Sequence, residues 1–265
     1  MIKLIAMDFD WTLVDHTKDA EKIGKELLEE LNDFIDKGGW AGIVSGREFW
    51  DFEREFMAFN TPWNKPFPNF VIGREAYIYK VGNGDYEGID EYNIPLKKKI
   101  VTLNKTLSKY MDDIFDMYEK SGITINNFYV YGHYAVEVHV DIKKADEALE
   151  LMKRFVEEKG IKDAAVHRNG MMVTIYHKDA GKGNALLAAA KAFGLKPSEV
   201  LAVGDNYNDV SMIDGKIGFV GACVGNADDN IKKIVKDGGG YVGEGIAHRG
   251  ILDVIKRLKK DGLMD

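Results

Sequence analysis

Short apolar runs, each followed by apolar residues at helical spacing, occupy both ends of this 265-residue chain, and that alternation restricts the fold more than any other feature. "LIAM" at residues 4–7 reads as a strand covered on both faces, with a short buried helix as the alternative that periodicity leaves open. The helical pattern after it, "AEKIGKELLEELNDFIDKG", repeats Ile23, Leu27, Leu28, Leu31 and Ile35 at spacings of three and four and stops at Gly38-Gly39. "WAGIVSG" is a second strand, a second helix follows Arg47, and "NFVIG" is a strand after the proline-marked loop "NTPWNKPFPN". Past residue 178 the same text resumes: a helix in "GNALLAAAKAFGL", a buried strand "VLAVGD", a short helix after Asp209, a strand around "IGFVGACVG" and a last helix in "GILDVIKRL". Such order predicts an α/β fold, a Rossmann-like parallel sheet with covering helices.

Between these ends the pattern changes. One long helix carries Leu96, Ile100, Leu103, Leu107, Met111, Ile114 and Tyr118. A hairpin, "ITINNFYVYGHYAVEVHVD", turns at Gly132-His133, and a second helix and a second hairpin follow. Val136, Val138 and Val140 share one strand face, and Glu137 and His139 share the other, so one face of this sheet is expected to be polar and open. The expected organisation is a core of residues 1–82 and 178–265 interrupted by an inserted α+β domain of residues 83–177.

A hydrophobic content of 45% supports a sizeable core, and the formal charge of −7, with Lys and Arg dispersed among acids, gives no basic stripe for nucleic acid or an anionic membrane. Small soluble partners are expected. No apolar stretch exceeds strand size and no cleavable signal precedes the first strand, so the expected location is cytoplasmic. The single cysteine, Cys223, allows no internal disulfide, and none of the histidines is spaced for zinc.

Acids gather where the predicted strands end. Asp8 and Asp10 follow the first strand and, two residues apart, would face the same way and repel each other. Asp205 ends another strand in "GDNYND", and Asp209 follows at a helix start. Ligands of open α/β sheets bind beyond the carboxyl ends of strands, and four acids in one crevice need a cation. Hard oxygen donors in small number point to Mg²⁺. Lys182, at a helix start between glycines, could hold an anion, as could Ser45 at another; taken alone, the lysine reads rather as a solvated surface charge and the serine as an N-cap.

Together "DFDWT", "VSGR", "GKG" and "GDNYND" resemble, in order, the four motifs of the haloacid dehalogenase superfamily. The insert between Ser45 and Lys182 looks like the αββαββ cap of its Cof-type phosphatases. The resemblance implies a Mg²⁺-dependent hydrolase of small phosphomonoesters, of the sugar phosphate or phosphoglycolate class. Asp8 would attack phosphorus to give an aspartyl-phosphate, and Asp10 would protonate the leaving oxygen and then activate water, which asks for a raised pKa. It further assigns Ser45, Gly46, Lys182 and Asn208 to phosphate, with Thr12 supporting the nucleophile loop and counted with them. The metal falls to Asp8, Asp205, Asp209 and the Asp10 carbonyl. A phosphomutase of the phosphomannomutase type and a non-catalytic phospho-ligand-binding regulator are the alternatives. Two positions depart from the family pattern: Trp11, where Gly is usual, and Arg74-Glu75, where Asn-Gly is usual. Arg74 could grip a second anionic group or form a surface pair with Glu75. With Arg47, Glu137, His139, Arg168 and Tyr176, Arg74 completes the expected substrate-selecting set.

Overall fold

The computed structural model describes residues 1–59, 61–63, 66–82 and 85–265, and the chain divides into two compact units, Met1–Tyr92 with Lys182–Asp265, and Asn93–Gly181. The first unit holds strands β1 (Leu4–Met7), β2 (Trp40–Val44), β3 (Phe70–Gly73), β4 (Tyr77–Gly82) and β5 (Asp85–Gly88), then β10 (Val200–Gly204), β11 (Val220–Cys223) and β12 (Tyr241–Val242). Its helices are α1 (Lys25–Asp36), α2 (Phe49–Ala58), the start of α3 (Asp90–Leu107), α6 (Lys182–Ala192), α7 (Val210–Ile213), α8 (Asp229–Asp237) and α9 (His248–Lys260). The second unit continues α3 and adds α4 (Met111–Lys120), β6 (Ile125–Val130), β7 (Ala135–Val140), α5 (Ala145–Glu158), β8 (Ala164–Asn169) and β9 (Met172–His177).

The eight strands of the first unit run β12-β11-β10-β1-β2-β3-β4-β5, parallel from β12 to β3 and antiparallel beyond. Every residue of β1 is buried, because helices cover both faces of the sheet. Two apolar layers result. Ile5, Met7, Ile43, Leu27, Leu31, Phe52, Phe56, Val254 and Leu258 form one, and Leu4, Ala6, Ala185, Leu186, Ala189, Ala202 and Met212 form the other. The parallel order makes β10, β1, β2 and β3 end side by side, and this brings the acids of the sequence together.

The second unit is a four-stranded antiparallel sheet, β6-β7-β9-β8, packed on α3, α4 and α5 through Val136, Val138, Val140, Val173, Ile175, Met152 and Tyr118. No helix among the described residues is long and apolar enough to cross a membrane.

Several boundaries differ from the sequence reading. β5 still pairs with β4, so the chain remains in the central sheet at Gly88, beyond the boundary expected at residue 82. Residues 83 and 84 lie outside the described residues. The single long helix expected through Tyr118 is broken at Ser108–Tyr110, where the Ser108 hydroxyl bonds back to the Lys105 carbonyl and a tighter 3₁₀ turn intervenes before α4. α1 starts only at Lys25, with Ile23 buried ahead of it, and Ser45 stands in a loop because α2 begins at Phe49. The glycine-rich loop after α8 contributes β12, which pairs with β11.

In the second unit the fully buried Tyr118 donates its hydroxyl to the Ala148 carbonyl at 3.0 Å. Tyr118→Phe keeps the packing and leaves that carbonyl without its donor, so urea unfolding should show a loss of about 0.5–1.5 kcal/mol with an unchanged slope. An unchanged midpoint would show that the bond contributes nothing net.

Candidate active site

Asp8 follows β1, Ser45 follows β2, Asp205 follows β10 and Glu75 sits in the turn after β3, so four neighbouring parallel strands each deliver a polar residue beyond their carboxyl ends. Lys182, the first residue of α6, is completely buried beneath them, and its ammonium donates to Asp8 Oδ1 at 2.6 Å and Asp209 Oδ1 at 2.5 Å. The surface reading of this lysine is therefore excluded. The other oxygen of Asp209 accepts from the backbone N–H groups of Asp205 and Asn206, which fixes the carboxylate. Gly204 makes room for it: a Cβ there would lie 2.4 Å from the Cβ of Asp209.

Asp8, Asp205 and Asp209 each present a carboxylate oxygen within 4.8 Å of the others. Burial pushes the Asp8 carboxyl well above its usual range against the pull of Lys182, and the Asp209 and Asp205 charges push the same way. Burial and Asp209 likewise raise Asp205, to about 6. Burial alone would lower the pKa of Lys182, but Asp209 and Asp8, followed by Glu75, outweigh it and keep the ammonium charged. One cation therefore faces three clustered acids, and the negative charge is in excess. All donors of that cluster are hard oxygens, so the residues fit a divalent cation such as Mg²⁺.

Asp10 differs from expectation. Its carboxylate lies outside the cluster and receives a bidentate grip from Arg47, Nε to Oδ2 and Nη2 to Oδ1 at 2.7 Å each, with His16 Nε2 also 2.7 Å from Oδ1. Burial works to raise its pKa, but Arg47 and then His16 prevail and hold it below the usual carboxylate range, the reverse of what a resting proton donor requires. Arg47 also reaches Glu55 at 3.2 Å, so in this state it serves the acid rather than a substrate.

Other residues assigned by the resemblance are engaged within the protein. The buried Thr12 donates its hydroxyl to Asp205 Oδ1 at 2.7 Å, which commits that proton to an acid of the cluster rather than to phosphate. The buried Ser45 accepts from Arg47 N at 3.3 Å. Asn208 donates to Glu75 Oε1 at 2.8 Å. Arg74 pairs with Glu48 at 2.8 Å, and Glu75, expected at the surface, is buried. Trp11 is half exposed at φ 64°, a left-handed conformation that explains why glycine suits the position. Its ring contacts that of His16.

In the second unit Glu137 and His139 share the polar face and pair at 2.5 Å. Tyr176 lies on the same face against His167. Arg168 does not: it pairs across the sheet with Val173, in register with the core, and its guanidinium bonds Asp146 of α5 on the helix side. Alternation along β8 places His167 on the open face instead. Sequence reading missed Glu75 and His16 as site members. The place of "VIGREA" at the end of a strand neighbouring β2 was the available signal for the first, and nothing distinguished the second.

A sequence model of the haloacid dehalogenase-like hydrolases matches residues 87–255, a span that includes Lys182, Asp205 and Asp209 and begins after Asp8 and Asp10. The phosphoglycolate phosphatase 1 of Saccharolobus solfataricus is 23% identical over 260 residues, 98% of this chain and 97% of that protein. A phosphoglycolate phosphatase of Methanococcoides burtonii is 27% identical over 160 residues, 60% of each chain. The crystal structure of the sucrose-phosphatase from Synechocystis, in complex with sucrose and phosphate, superposes with a TM-score of 0.69 at 17% identity, over 98% of this chain and 99% of that one, which establishes likeness of fold.

The excess charge has a measurable consequence. Asp205 has a folded pKa raised above its unfolded value, so it costs stability above about pH 6, and that cost disappears below its unfolded pKa near pH 4. In chelator at pH 7.5, Asp205→Asn should raise unfolding free energy by about 1–2 kcal/mol, and the gain should vanish at pH 4. Destabilisation at pH 7.5 in urea melts would contradict this electrostatic account.

Proposed function

The chain belongs to the haloacid dehalogenase-like hydrolase family, and from that premise we propose that it is a Mg²⁺-dependent phosphatase of small phosphomonoesters that acts through Asp8. The observation that carries the reading is the placement of Asp8 at the end of the central strand, hydrogen-bonded to a fully buried lysine and clustered with Asp205 and Asp209. A carboxylate in that position can attack phosphorus, while Lys182 and the backbone and hydroxyl groups at Ser45 and Gly46 hold the phosphoryl oxygens. A bound divalent cation, held by Asp8, Asp205, Asp209 and the Asp10 carbonyl, supplies charge neutralisation for the anionic nucleophile and substrate.

In the first half-reaction Asp8 forms a bond to phosphorus, and the ester oxygen leaves with a proton from Asp10. In the second, Asp10 takes a proton from water, whose oxygen attacks phosphorus and frees Asp8 and inorganic phosphate. The ionised Asp10 of this structure is ready for the second half. For the first, Arg47 has to release it and a proton has to arrive. The substrate belongs to the sugar phosphate or phosphoglycolate class, in line with the relatives' names, and the inserted unit selects it. Glu137, His139 and Tyr176, on its open sheet face, are the groups for that task.

Asp8→Asn should abolish phosphate release from an aryl phosphate and give no phosphoryl adduct by intact-protein mass spectrometry after rapid quench. Asp10→Asn should slow turnover by roughly 10²- to 10⁴-fold and accumulate the adduct. An adduct on Asp8→Asn would overturn the nucleophile assignment, and undiminished turnover of Asp10→Asn the acid–base one. A wild-type chain with no adduct and no turnover would point to a binding protein, and transfer to a sugar phosphate faster than to water to a mutase.

A further inference from the structure

Glu75 has no part in the chemistry above, yet it is buried among the groups assigned to the phosphoryl oxygens. Its Oε1 accepts from Asn208 Nδ2 at 2.8 Å, and a side chain at Gly46 would come within 3.6 Å of the same oxygen. Its charge acts on Lys182 next after those of Asp209 and Asp8. The carboxylate thus stands against two of the groups named for phosphate, Asn208 and Gly46, and its charge acts on a third, Lys182, while Asn208 has its amide nitrogen, the end that could face an anion, turned to it. The remaining amide oxygen of Asn208 is buried with no hydrogen-bond partner, so the orientation answers to Glu75 and not to a second contact.

The backbone holds Glu75 there at a cost. Arg74 and Glu75 have φ of 51° and 52°, the left-handed region at both central positions of a turn closed by Ala76 N to Gly73 O. Side chains other than Gly or Asn are disfavoured at such positions. Two backbone bonds, Arg74 N to Arg47 O at 2.9 Å and Glu75 N to Ser45 O at 2.8 Å, strap the turn onto the loop after β2. A fourth acid is therefore pinned, in an unfavourable conformation, beside a site already short of positive charge.

We propose that Glu75 is an internal anion that competes with the phosphoryl group for this end of the site, weakening the hold on substrate phosphate and on product phosphate alike. It deepens the phosphatase reading and rests on it for the identity of the anion. Substrate and product share the phosphoryl group, so a site that grips it too well is slow to empty, and binding given up equally by substrate and product raises KM and eases release of phosphate. A group that only positioned Asn208 or Lys182 would have the opposite effect on removal.

The sign of the effect is the test. Inorganic phosphate is titrated by calorimetry, in Mg²⁺ buffer, into the wild-type chain, into Glu75→Gln, which keeps the shape and an acceptor for Asn208 but removes the charge, and into Glu75→Gly, which also relieves the left-handed backbone and so guards against loss of folding. Both variants should bind phosphate about tenfold more tightly, with KM for an aryl phosphate falling in parallel. Equal or weaker binding by the variants overturns the inference, whether or not the wild type hydrolyses phosphoesters. Tighter binding by the variants of a chain without phosphatase turnover supports the inference and sinks the phosphatase reading instead.

Discussion

The buried ammonium of Lys182, held between Asp8 and Asp209, is the interaction on which the rest of the site depends. A charge with no access to solvent is tolerated only when paired and hydrogen-bonded, and here one partner comes from the end of β1 and the other from the helical turn after β10. The lysine therefore ties α6 to two strands of the sheet and fixes the position of Asp8. Removing it would leave three acids facing one another without a counter-charge. The close approach of α6 to α7 is part of the same arrangement: Gly183, next to Lys182, lies where a Cβ would come 2.4 Å from the Ser211 carbonyl.

Pairing with Lys182 does not neutralise the cluster. Thr12 and two backbone N–H groups share the load on Asp205 and Asp209, yet the pKa of Asp8 and that of Asp205 remain raised. Such a donor set could hold a second cation, and the hydrolase family to which the chain belongs gives that a chemical use. Asp10 is balanced separately, by Arg47 and His16, so the two aspartates at the end of β1 are held in opposite electrostatic states although they are two residues apart. The different roles proposed for them are compatible with that separation.

Much of this was legible in the sequence because it depends on order and period. Apolar runs alternating with helical spacing gave the parallel strands, and the rule that ligands gather at strand ends brought Asp8, Ser45 and Asp205 into one crevice. What was not legible depends on which atom meets which. Arg47 could have faced solvent, substrate or Asp10, and only the fold shows the bidentate pair. Arg168 joins the expected substrate-selecting set on its residue type, although the pairing of β8 with β9 sets it with Val166 on the helix side. The breadth of the central sheet at β5, and the burial of Glu75 in a turn that looked like surface, arise from tertiary pairing that no local pattern encodes.

The central claim is that Asp8, Asp205 and Asp209 form a site short of one divalent cation, and Mg²⁺ binding measured directly tests it most simply. Calorimetric titration of Mg²⁺ at pH 7.5 into the metal-stripped chain should give one site, and the same titration into Asp205→Asn should show affinity reduced by at least about tenfold. Equal affinity in the two proteins, or no binding to the wild type, would contradict the account.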